Sequence, residues 1–165
     1  MRAAIGWALM DLYTSLKLAH VIGAAVLFGT GVGIAFFMLM AHRTRDAALV
    51  AHTAGIVVVA DTVFTAAAVL LQPITGTALA NLAGLPLFSG WIGLSFVLYL
   101  ATGACWLPVV WIQLRMRNLA REAVRLDEPL PRAYHRLFRL WLVLGFPAFA
   151  AVAAIIWLMI AKPGL

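Results

Sequence analysis

Charge is scarce in this chain: Asp, Glu, Lys and Arg together make up 11% of its 165 residues, and only 6 residues are acidic. So few charges cannot cover a water-facing surface when 65% of the residues are hydrophobic, because much of a soluble domain's surface must meet water. Cysteine is all but missing, and Cys105 alone excludes an internal disulfide and any cysteine-based zinc cluster. Nucleophile triads, phosphate-binding loops and metal clusters find no matching spacings. Residues 1–13 hold one arginine and no clear small-residue cleavage site, so they read as a retained interfacial lead-in over 2–12, with Trp7 and Met10, and not as a signal peptide.

What fills the chain is apolar sequence, with a mean hydropathy of +1.02. A spanning helix needs ~20 mostly apolar residues to cross roughly 30 Å of hydrocarbon. Four stretches qualify: 16–40, 54–79, 91–111 and 140–160. Pro73, Pro108 and Pro147 fall inside them, which membrane helices tolerate because neighbouring groups satisfy the freed carbonyl. The expected fold is therefore all-α: an integral membrane four-helix bundle forming a single domain over 1–165.

The net charge of +6 is not a nucleic-acid signal, because the arginines cluster in connections between apolar segments. The first connection holds Arg43 and Arg45; the third holds Arg115, Arg117, Arg121, Arg125, Arg132, Arg136 and Arg139; the second, 81–89, holds no charge. The excess of positive charge on cytoplasmic loops places the first and third connections inside and both termini outside. Ile112, Met116, Leu119, Ala123 and Leu126 recur at helical spacing among the arginines, so helix three continues as an amphipathic arm. The segment 127–131 breaks it, and Tyr134, Leu137, Phe138 and Trp141 lead into helix four. The result is a cytoplasmic amphipathic helical hairpin between helices three and four. It reads either as a solvated, topology-fixing element or as a site for anionic lipid or a partner.

An ionisable residue inside a membrane costs several kcal/mol unless it is paired or faces a cavity, so each is a functional lead. Lys17 and His20 share one face near the outer end of helix one, with Tyr13 a turn before Lys17. The lysine can snorkel to the headgroups, whereas the imidazole suits a haem ligand, a proton carrier or a packed hydrogen-bonding group. Asp61, Thr65, Ala68, Gln72 and Thr75 step by four, three, four and three along one face of helix two. That stripe reads as interhelical hydrogen bonding, as a proton path through Asp61, or as a polar wall for a cofactor. Helix three carries Ser95, Tyr99, Thr102 and Trp106, and as an antiparallel neighbour of helix two it could turn this stripe to face the first. Gly29, Gly31 and Gly33 form a small-residue patch suited to close helix packing or to a flat ligand.

Depth sorts these groups. His20, Gln72, Trp91 and Met159 lie near the outer boundary, Asp61 lies in the inner half near Cys105, Trp106 and Pro147, and His42, His52 and His135 lie at the cytoplasmic side. With no second histidine at the level of His20, the expectation is a single histidine ligand with Met159 as a weak second.

The segments LKLAHVIGAAVLFGTGVGIAFFMLMAHR (16–43), ADTVFTAAAVLLQPITG (60–76), GACWLPVVWIQLRMR (103–117) and YHRLFRLWLVLGFPAFAAVAAIIWLMIAKP (134–163) resemble a bacterial family of predicted integral membrane proteins of unknown function, across essentially the whole chain. That resemblance implies a multi-pass protein of the bacterial inner membrane. The chain is more distantly similar to the HemJ-type protoporphyrinogen oxidases, small helical membrane proteins that bind haem b. The shared marks are Lys17-x-x-His20, Pro73 before Gly76, Pro147 in the last helix, and Lys162-Pro163 at its end. The likeness implies that His20 matches the haem-associated histidine. Two marks depart from it: Ser95 stands nearest the family's helix-three lysine, and Leu144 and Gly145 stand where an Asn-Glu pair precedes the last proline.

The expectation for function is a haem b or tetrapyrrole-binding membrane protein with an electron-transfer or oxidoreductase role. His20 would be the axial ligand, Lys17 and Tyr13 would lie near the propionates, and Gly29, Gly33, Gln72, Ser95, Tyr99 and Met159 would line the pocket. Lipid, a second copy of the chain and a quinone or tetrapyrrole are the expected partners. A non-enzymatic scaffold or assembly protein, and a small proton-coupled transport protein built on Asp61, are the alternatives.

Overall fold

The computed structural model describes residues 2–88 and 90–164, with backbone alone over 2–8. All elements among the described residues are helices: α1 (Arg2–Thr44), α2 (Ala47–Leu82), α3 (Gly90–Leu126) and α4 (Arg132–Ala161). All four are long and apolar enough to cross a membrane. At 1.5 Å per residue, the 43 residues of α1 reach about 65 Å and the 37 of α3 about 55 Å. Each therefore outruns the roughly 30 Å of hydrocarbon. The supposed lead-in over 2–12 continues α1 as helix; the Trp7 side chain lies outside the described residues. Helix three and its amphipathic arm are one unbroken helix, as the periodicity implies.

Helix ends follow their backbone chemistry. At the end of α3 the Glu128 amide donates to Ala123 O at 2.9 Å and the Asp127 amide to Val124 O at 3.3 Å, with Asp127 left-handed at φ 54°. The end of α2 repeats this pattern around Gly84 at φ 66°, through Leu85 to Ala80 and Gly84 to Asn81. These are paired six-to-one and five-to-two closures that satisfy the last carbonyls. Asp46 opens α2 by accepting from the amides of Ala48 and Leu49 at 2.8 and 3.1 Å.

Packing is uneven along the bundle. One core joins Ile34, Met38 and Ala41 of α1, Val50, Ala54 and Val57 of α2, Val109, Ile112, Met116 and Ala120 of α3, and Leu130, Tyr134, Phe138 and Trp141 at the start of α4. It lies at the arginine end, and in α3 and α4 much of it falls beyond the apolar stretches. There water drives apolar side chains together. In lipid that drive is lost, since acyl chains are as apolar as leucine. The remaining apolar surface is turned outward accordingly, as at Leu70, Ile74, Val97, Leu107, Phe146 and Ile160.

The first half of α2 packs on α3, whereas its second half leans onto α1; α3 and α4 make the most extensive pair. Toward the far end the bundle thus becomes two pairs, α1 with α2 and α3 with α4. The links between them include the tilted rings of Phe28 and Phe149, 4.6 Å apart, and the Tyr99 hydroxyl donating to Val69 O.

Candidate functional site

The stripe on α2 is buried as its spacing implies: Asp61, Thr65, Ala68 and Thr75 are 5, 7, 4 and 3% exposed, with Gln72 half-buried. It meets two neighbours. Its upper, Thr75 end meets α1, and its lower, Asp61 end packs against α1 as well and is reached by Trp106 of α3.

At the upper end His20 Nδ1 lies 2.8 Å from Thr75 Oγ1. The threonine hydroxyl has one proton, and it donates that proton to Leu71 O at 2.8 Å, the usual bond of a threonine to the turn before it. Thr75 Oγ1 is then an acceptor, Nδ1 carries the imidazole proton, and the lone pair of neutral His20 resides on Nε2. Tautomer and ring direction are both set by the second nitrogen's bond, as in oriented haem and metal histidines. Gln72 Nε2 donates to His20 O at 2.9 Å, so the same turn of α2 also grips the backbone of α1.

Two glycines make this contact possible: Gly76, which the sequence offered only as a family mark, and Gly23, which it did not single out. A Cβ at Gly76 would lie 3.2 Å from His20 Cε1, and one at Gly23 would lie 2.5 Å from Gln72 Nε2. By contrast, a Cβ at Gly29, Gly31 or Gly33 would meet nothing within 4 Å. The expectation that this patch packs against a neighbouring helix is therefore overturned within this chain: small size is used at Gly23 and Gly76 instead. Lys17 is exposed, and Tyr13 and Met159 are half-buried.

At the lower end Trp106 Nε1 donates to Asp61 Oδ1 at 3.3 Å. Asp61 Oδ2 and Thr65 Oγ1 are both buried and have no hydrogen-bond partner. The backbone there is a π-helical turn over Asp61–Thr65, closed by the Ala66 amide on Asp61 O. Such one-residue expansions concentrate at functional sites. No residue pattern announced it, since the stripe keeps its ordinary spacing across the turn.

The expected face-to-face meeting of the stripes on α2 and α3 is half realised. Tyr99 and Trp106 reach across to α2. Ser95 and Thr102 instead donate back along their own helix, to Trp91 O at 2.7 Å and to Leu98 O at 2.9 Å. Ser95 is buried at 4% exposure and satisfied, so it offers no donor across the bundle.

Among the described residues no group of three His, Cys, Asp or Glu side chains converges to hold a metal ion. The chemistry of the His20 end fits a group that takes one axial nitrogen: a fixed ring, a lone pair on Nε2, and an oriented second nitrogen. The other three histidines, His42, His52 and His135, stand at or toward the arginine end of the helices.

No curated protein and no solved structure matches the chain. A family pattern matches residues 14–163, a run that takes in α1 from Thr14 onward, the other three long helices and both polar clusters, and its description names no activity. The chain belongs to that family, described as predicted integral membrane protein DUF2269.

Proposed function

We propose that this is a multi-pass membrane protein that binds haem b, or a related tetrapyrrole, through His20 Nε2. Its arginine-bearing hairpin would lie on the cytoplasmic side of a bacterial inner membrane, with both termini outside. The observation that carries the reading is the Thr75 hydroxyl held as an acceptor for His20 Nδ1, which presents Nε2 as a ligand. Haem, when bound, supplies one-electron chemistry or tetrapyrrole oxidation. The chain's own part is to hold the imidazole, with Gln72 bracing the helix that carries it. Lys17 and Tyr13 stand one and two turns away along α1, on the side where propionates would reach water.

The test is a visible spectrum of the purified protein in mild detergent, oxidised and reduced, after haem supplementation. A Soret band should be present, and His20→Ala should lose it while keeping its helical content. Thr75→Val, which deletes the acceptor but keeps the shape, should weaken haem affinity about 10–100-fold. A colourless wild-type protein would sink the proposal and leave the scaffold reading, in which the polar contacts only join helices.

A second reading rests on a separate observation: the buried, unpartnered Asp61 Oδ2 beside the unpartnered Thr65 hydroxyl in the π-turn. A carboxyl so placed can take and release a proton within the bundle. In liposomes carrying a pH-sensitive dye, Asp61→Asn should abolish proton flux through the protein. Equal flux in variant and wild type rules out that role for Asp61.

A further inference from the structure

At the opposite end from His20 the hairpins build a second site out of residues that the reading above does not use. A cavity of about 690 Å³ is lined by His42, Arg43, Arg45, Pro129, Leu130 and His135. We propose that this cavity binds a phosphomonoester group, carried either by a lipid headgroup or by a soluble phosphate.

The turn that presents the arginines is fixed. Thr44 Oγ1 donates to Ala41 O at 2.7 Å and accepts from the Asp46 amide at 3.2 Å. Arg45 closes α1 in the left-handed region at φ 58°, with its amide on His42 O. A non-glycine residue is held there only when its surroundings dictate it. The adjacent carboxylate, Asp46, is committed to the amides of Ala48 and Leu49. Among the described residues the ion pair present is Arg125 with Glu122, remote from this turn in sequence, so Arg43 and Arg45 have no carboxylate partner.

The imidazole is equally fixed. His42 lies flat on Phe138, with centroids 3.7 Å apart at 6°, and meets His135 edge-on at 5.6 Å. Tyr134 OH stands 3.3 Å from His42 Nδ1. Burial pushes the Tyr134 phenol up to about 12, so it stays a donor, and Nε2–H is left as the donor of neutral His42. His42 sits just past the apolar stretch of α1; burial, then the nearby His135 and Arg45, hold its imidazole below the ordinary range.

Charge and shape choose the ligand. No acid lines the cavity. Asp46, Asp127 and Glu128 line a separate cavity of about 320 Å³ that shares Arg45 and Pro129 with it. Two permanent guanidinium charges match a phosphomonoester, which carries about −1.5 to −2 at pH 7. Guanidinium groups also bind its oxygens in a bidentate fork. Pro129 and Leu130 add an apolar wall, against which the first carbons of a glycerol ester could rest.

The test is calorimetric titration of the full chain in neutral detergent with inorganic phosphate, dioctanoyl phosphatidic acid and, as control, dioctanoyl phosphatidylcholine. Saturable one-to-one binding of phosphate, phosphatidic acid or both is expected. R43Q/R45Q should weaken it at least about tenfold, the scale of one lost charged hydrogen bond. R136Q/R139Q, which removes the same charge from exposed positions outside the cavity, should change it less than about twofold. Equal weakening in the two double variants, or no saturable binding, overturns the proposal. Phosphatidic acid binding at least about tenfold tighter than phosphate identifies the headgroup source, and similar affinities identify soluble phosphate. In case R43Q/R45Q fails to fold, phosphate is titrated into wild-type protein with ¹⁵N-labelled histidine. His42 and His135 resonances should shift while His20 and His52 stay; shifts in all four, or in none, overturn it.

Discussion

At the scale of single residues, five glycines separate into two kinds that a list of small side chains cannot distinguish. Gly29, Gly31 and Gly33 face open space, whereas Gly23 and Gly76 lie under Gln72 and His20. A methyl at Gly76 must displace the imidazole by a few tenths of an ångström, although alanine also favours helix by about 0.5–1 kcal/mol over glycine. The expected outcome for Gly76→Ala is near-wild-type thermal stability with a shifted His20 imidazole resonance. Gly29→Ala and Gly33→Ala should leave that resonance in place and raise stability by up to about 1 kcal/mol. Melting curves and histidine NMR of the three variants check this, and an equal His20 shift in Gly29→Ala would contradict it.

The sequence made part of this chemistry legible. Depth along the helices brought His20 and Gln72 to one level, and Asp61 and Trp106 to another, and the structure joins both pairs. The stripe rule also found Thr75, but not its role as the acceptor for His20. That role depends on the rotation of α1 against α2, which periodicity within one helix does not encode. Nor could it show that Ser95 and Thr102 satisfy themselves on their own turns.

The elements behave as rods with two environments. In α4, Tyr134, Phe138 and Trp141 step through the core by four and three residues and are 0, 3 and 5% exposed. Farther along the same helix Phe146 is 73% exposed, because lipid receives it as readily as protein does. Truncation at these two phenylalanines should therefore differ sharply. Phe138→Ala is expected to cost about 3–5 kcal/mol, as for a buried aromatic, and Phe146→Ala less than about 0.5 kcal/mol, as for an outward position. Denaturation of both variants in the same detergent decides it, and comparable losses would mean that Phe146 has a protein neighbour. The arginine-bearing hairpin was readable because it carries both the 3.6-residue apolar repeat and the 127–131 break. The π-turn was not, since a five-residue closure leaves the spacing of Asp61 and Thr65 unchanged.

For the whole molecule, the number of helices and the end that bears the arginines follow from hydropathy and charge. The location of the core does not. Hydropathy marks the most apolar segments, yet the tightest packing lies at and beyond their ends, where aqueous solvent supplies the driving force that lipid withholds. Hydropathy marks four spanning stretches without ranking their contacts, whereas the structure has a clasp at one end and two loosely joined pairs at the other.

A clasp at one end turns each helix into a lever. A tilt of about 5° about the packed core would move a point roughly 30 Å along the helix by about 2–3 Å. That is close to the length of a hydrogen bond. The distance between the two pairs at the far end is thus geared to small rotations at the near one. Side chains that set the seating of α1 against α4 in the clasp, His42 on Phe138 foremost, would thereby bias the spacing of the two pairs at the opposite end.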